Sequence, residues 1–191
     1  MKRVLLAGLL GGITMFVWAT IAHVVLPLGR IGISEIPNEA PVLAALQASL
    51  GNNSGLYMFP GFGAGNNASR AQTNSAMGHY QEKLAANPSG LLVYHPAGAK
   101  AMTPAQLITE FLTEFLEALL ASLLLARAAL GSYSRRVAFV TTVGLVAVLA
   151  TNVPYWNWYG FPGSYTISHM VTQLIGFLVV GLVAGKVLKT V

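Results

Sequence analysis

The stretch AQLITEFLTEFLEALLASLLLARAAL, Ala105–Leu130, decides how this chain folds. It is long enough to cross a bilayer, since about 20 helical residues cover ~30 Å of hydrocarbon. It also carries Glu110, Glu114 and Glu117, three of the six acidic residues in the protein. At 100° per residue Gln106, Glu110, Glu114, Glu117 and Ala121 fall within about 80° of arc. An ionisable group at the bilayer centre costs roughly 2.5–3.5 kcal/mol on insertion scales. A span that keeps three on one stripe is expected to turn them toward a protein interior or a water-filled cavity.

The rest of the chain agrees with a membrane reading. Its 191 residues are 54% hydrophobic and 9% charged, against about 25% charged in a soluble domain. Three further apolar runs, Val4–Leu28, Val137–Tyr155 and Tyr165–Leu188, have spanning length. The N-terminal run follows Lys2-Arg3 as in a signal peptide, but its apolar character continues to Leu26, so it reads as an uncleaved helix. The expected fold is an all-α membrane protein: a four-transmembrane-helix bundle with a small α(+β) insert. The divisions are residues 1–28 for the first helix, 29–103 for the insert and 104–191 for the other three helices.

Charge sets the orientation. Lys2, Arg3, Arg127, Arg135, Arg136, Lys186 and Lys189 flank the spans on one side, with no acid among them. By the positive-inside rule both termini are cytoplasmic, and residues 29–103 are periplasmic in the inner membrane of a bacterium. These cations act as topology signals, so the formal charge of +5 points to no nucleic-acid partner. The absence of Cys and Asp excludes disulfides and thiolate metal sites, and leaves carboxylate chemistry to Glu.

Within the insert, Asn38-Glu39-Ala40-Pro41 before Val42–Leu50 reads as a capped short helix, and Gln72–Ala86 as a second. Gly51–Asn67 between them is turn-rich. Gly55–Gly61 and Gly90–Pro96 resemble one another as short β-leaning runs stopped by proline. Either they pair as a hairpin or the likeness is chance. The insert is expected to cap the outer ends of the helices.

Counting 1.5 Å per residue from each cytoplasmic boundary puts Glu117, Glu114, Asn152, His23, His169 and Glu110 ~20–30 Å up. With Gln173 they form the expected polar site, in a common chamber open to the periplasm. His23, Glu114, Glu117 and His169 suit zinc, iron or manganese by ligand type, and the two histidines suit a b-type haem. No HExxH motif is present, and Glu114-x-x-Glu117 lacks the Glu-x-x-His spacing of di-iron bundles. The bland alternative is carboxyls hydrogen-bonded to Thr or His side chains. Asn152, two residues before Pro154, is expected to satisfy backbone that the proline frees. Tyr155, Trp156, Trp158 and Tyr159 form an interfacial aromatic belt. Gly8/Gly12 and Gly181/Gly185 are small-xxx-small pairs of the kind that lets helices approach closely.

The expected function is a small membrane protein that binds an ion, metal or small ligand at this site. The alternative is a structural or accessory subunit of a larger complex, with the bilayer and a second copy or other membrane subunits as partners. No nucleophile elbow or nucleotide loop is present, so an enzyme using Glu as general base is the weaker reading.

Overall fold

The computed structural model describes residues 1–65 and 67–189; Asn66, inside the turn-rich stretch, lies outside them. Two compact units emerge: Met1–Ser34 with Ala101–Val191, and Glu35–Lys100.

The first unit is helical. Helix α1 (Lys2–Thr20) runs into a π-helical turn, Ile21–Val25, and a 3₁₀ turn, Leu28–Arg30, follows. The other long helices of this unit lie at Pro104–Ala128, Tyr133–Tyr159 and Gly163–Val187. Among the described residues three helices are long and apolar enough to cross a membrane: Lys2–Val25, Tyr133–Tyr159 and Gly163–Val187. The helix Pro104–Ala128 has the length but also carries Glu110, Glu114, Glu117 and Arg127, and that charge sets it apart from the other three.

The second unit holds α2 (Glu39–Leu50), β1 (Gly55–Phe59), α3 (Arg70–Gly78), α4 (Tyr80–Ala86) and β2 (Gly90–Tyr94). The long helices after it are therefore α5 (Pro104–Ala128), α6 (Tyr133–Tyr159) and α7 (Gly163–Val187). The two look-alike segments do pair, antiparallel, from Gly55 opposite Tyr94 to Phe59 opposite Gly90. The helix expected over 72–86 is two helices, broken at Gly78-His79. Ser69 starts α3 with a reciprocal cap: Gln72 N–H donates to Ser69 Oγ, and Ser69 N–H donates to Gln72 Oε1 at 2.9 Å. Lys83 Nζ donates to the carbonyls of Gly61 and Phe62, and the Phe62 ring sits 4.5 Å from that of Tyr80. Asn38 precedes α2 in a left-handed conformation and makes no side-chain cap.

Packing in the helical unit is set by glycines. A Cβ on Gly12 would lie 2.6 Å from the Phe115 Cα, and one on Gly8 would lie 2.9 Å from the Leu119 Cα. Backbones that close leave no room for a side chain, so the Gly8/Gly12 pair marks the α1–α5 seam. Phe16 and Phe111 continue it with an edge-to-face contact at 5.7 Å. Gly11 faces both Ala118 and Val180, which joins α1, α5 and α7 at one level. Gly181 and Gly185 take Val137 and Tyr133 of α6, and Gly144 takes the Phe177 ring. The core is Ala7, Met15, Ala118, Ala121, Leu125, Val140, Phe177, Val180 and Ala184. Helix α5 lies along α1, α1 along α7, and α7 along α6, while α5 and α6 meet only sparsely.

Two polar devices close the basic end. Ser132 caps α6 by accepting from Arg135 N–H. Arg136 is buried: its Nε donates to the Gly185 carbonyl at 2.9 Å, and its Nη1 to those of Leu130 and Gly131 at 3.0 and 3.1 Å. It thus ties the end of α5 to α6 and α7, a role beyond the topology signal read from the sequence.

Candidate functional site

Helix α5 is fixed at its start by a capping box. Gln106 N–H donates to Thr103 Oγ1, Thr103 N–H donates to Gln106 Oε1 at 2.7 Å, and Pro104 occupies the first turn. From there the helix buries Glu114, Ala118, Ala121, Ser122 and Leu125. That is the i, i+4, i+7, i+8, i+11 progression of one face. Glu114 is thus the first member of the packing stripe. It is 6% exposed, and its Oε2 is enclosed and has no hydrogen-bond partner among the described residues. Glu117 is half-buried and Glu110 exposed. The bland expectation, a carboxyl satisfied by Thr or His side chains, leaves this oxygen unexplained.

The histidines form a second group. His23 stands in the π turn, where one extra residue per turn changes the direction in which side chains point. Its Nδ1 edge packs on Gly29 so closely that a Cβ there would overlap the ring. His169 of α7 faces it, with ring centroids 6.2 Å apart. Tyr165 stacks on His169 at 4.2 Å, and Phe161 and then Tyr155 extend the column at 5.4 Å each. Around the pair, Trp18 Nε1 donates to the Thr172 carbonyl at 2.8 Å, and Ser168 Oγ to the Leu28 carbonyl at 3.0 Å. Gly32, at φ +80°, lets Tyr165 approach its backbone closely.

A third group is the amide pair: Asn152 Nδ2 donates to Gln173 Oε1 at 2.7 Å and to the Val148 carbonyl at 3.0 Å. Pro154 removes the donor for the Ala150 carbonyl four residues back. Asn152 therefore does not repair the proline's gap as expected; it links α6 to α7.

The three groups occupy different heights. Contacts of Gly12 with Phe115 and of Gly11 with Ala118 place Glu114 at the level of Ile13 to Met15 on α1. His23 lies two to three turns farther along, about 12–15 Å at 1.5 Å per residue. Among the described residues no three His or Glu side chains are grouped to hold a metal ion. The four-residue metal set of His23, Glu114, Glu117 and His169 therefore does not assemble. The single chamber of the sequence reading is replaced by an acidic stripe and, above it, an aromatic-backed histidine pair. Trp18, Gly29, Gly32, Tyr165 and Ser168 were not singled out from the sequence. The spacing of Tyr165 and His169, one helical turn apart, was the available signal.

No protein-family model, curated protein sequence or solved structure matches this chain.

Proposed function

We propose that this is a four-span protein of the bacterial inner membrane that binds a small, singly charged cationic group at the acidic stripe of α5. Both termini are cytoplasmic and residues 29–103 periplasmic in this reading, from the one-sided distribution of basic residues. The seam from Gly8–Leu119 to Phe16–Phe111 supports α5 as the fourth span, because a helix laid along a membrane span shares its slab.

The observation that carries the reading is the orphaned Oε2 of Glu114. A buried polar atom without a partner costs about 1–3 kcal/mol, more when charged, so a donor or cation at that position repays a standing penalty. Glu110 and Glu117, a turn above and below on the same stripe, add negative potential. With no three-ligand group among the described residues, an alkali cation or a methylammonium-type group fits better than a divalent metal.

The test is thermal unfolding of the protein in lipid nanodiscs against sodium, potassium and methylammonium chloride, with the chloride of the bulky N-methylglucamine cation balancing ionic strength. A bound cation at 100 times its Kd stabilises by about 2.7 kcal/mol. The wild type should gain melting temperature with one of these cations and Glu114→Gln should not. Equal behaviour of the two proteins with all three salts contradicts the reading.

The sparse meeting of α5 and α6 favours one second reading. That open flank admits a helix of another subunit, whose Lys or Arg would supply the cation to Glu114 and Glu117, making the chain an accessory subunit. Native mass measurement after gentle extraction separates the two, since a bare monomer that still responds to a small cation excludes the partner.

A further inference from the structure

Helix α2 has no polar face. Its sequence is EAPVLAALQASL, and Ala40, Val42, Leu43, Ala44, Ala45, Leu46, Ala48 and Leu50 point to every side of its axis. No residue in it is buried, and Leu43 is 53% exposed. Its polar attachment is at one end, where Tyr94 Oη donates to the Gly51 carbonyl at 2.8 Å and faces Gln47 Oε1 at 3.4 Å. Its polar residues, Glu39, Gln47 and Ser49, lie toward its two ends, and a helix with apolar side chains on every side between them is stable when its surroundings are apolar.

We infer that α2 is a short membrane-embedded helix, seated among the acyl chains of the periplasmic leaflet. Three features select lipid as the occupant. Twelve residues make ~18 Å of helix, too short to cross ~30 Å of hydrocarbon and of the length found in re-entrant or interfacial segments. The helical backbone satisfies its own hydrogen bonds, as lipid requires. The connection from a membrane-spanning helix is amphipathic, as suits a segment at the lipid–water boundary: only residues 31–38 separate Arg30 from α2, and within them exposed Ile31, Ile33 and Ile36 alternate with Ser34, Glu35 and Asn38. This inference rests on Lys2–Val25 lying in the membrane and is independent of cation binding at Glu114.

The natural absence of cysteine makes the test direct. Leu43→Cys and Ala45→Cys, on different sides of α2, are labelled with an environment-sensitive nitrobenzoxadiazole dye. The full chain is reconstituted in phosphatidylethanolamine–phosphatidylglycerol vesicles with or without nitroxide-labelled acyl chains. Leu9→Cys, lipid-facing on α1, and Asn53→Cys, in the loop after α2, are the references. Both α2 labels should match Leu9: blue-shifted emission, quenching by nitroxide lipid, no quenching by aqueous iodide. Iodide quenching equal to that at Asn53 would overturn the inference. So would protection from both quenchers, which would mean that protein, a second copy or another subunit, covers the helix. Helical circular dichroism equal to that of the wild type establishes that each variant is folded.

Discussion

Replacing Gly12 with alanine adds one methyl group to the α1–α5 seam. That Cβ would stand 2.6 Å from the Phe115 Cα and 3.1 Å from the Phe115 nitrogen, both backbone atoms, so no side-chain rotation relieves it. Ordinary carbon contacts begin near 3.5 Å, so the helices must separate by roughly 1 Å, which forfeits about a quarter to a half of the dispersion energy of each contact along the seam. Overpacking typically costs about 1–3 kcal/mol, and there is no hydrophobic force in lipid to offset it. We expect Gly12→Ala to lose about 2 kcal/mol, read as a shifted midpoint when the protein in mixed micelles is titrated with dodecyl sulfate and followed by circular dichroism. Leu9→Ala, at a lipid-facing position of the same helix, serves as control. If Gly12→Ala is no more destabilising than Leu9→Ala, α5 does not lie against α1 as described, and the argument for a fourth span fails.

Arg136→Gln should cost about 1.5–3 kcal/mol, because the buried Gly185 carbonyl and the part-buried Leu130 and Gly131 carbonyls lose a charged donor. Arg136→Lys should not rescue it, since an ammonium cannot reproduce the guanidinium fork, and exposed Arg135→Ala should be near neutral in the same titration. Gly29→Ala should displace the His23 ring and move the imidazole nitrogen resonances of His23 and His169, whereas Gly61→Ala, with open space around it, should leave them unchanged. Thr103→Ala should lose about 1 kcal/mol and speed hydrogen exchange in the first turn of α5, because Gln106 loses its partner.

How much the sequence revealed follows from which forces are local. Three spans were legible from unbroken apolar runs, and the glycine pairs from their spacing, because both signals sit within one helix. The start of α6 at Tyr133, a turn earlier than the apolar run, was hidden by Arg135 and Arg136, whose charges read as a boundary while Arg136 is in fact buried. The π turn at Ile21–Val25 has no apolar periodicity of its own, so the pairing of His23 with Gly29 was invisible. The common depth expected for the polar groups came from counting along each helix separately from its apolar end. The glycine contacts fix the heights of the helices against one another, and they set His23 and His169 well above Glu114. Glu114 was recognisable as a candidate from its stripe. That it alone of the three would be enclosed followed from Gly11, Gly12 and Ala118 bringing α1 against α5, a tertiary fact.

The central claim, that the carboxyl of Glu114 receives a cationic group from outside this chain, is tested most directly by an experimental density map of the protein in lipid. The account predicts non-protein density, or a donor from another subunit, within about 2.7–3.2 Å of Glu114 Oε2. A carboxyl hydrogen-bonded wholly within its own chain, or turned outward to lipid headgroups, would contradict it.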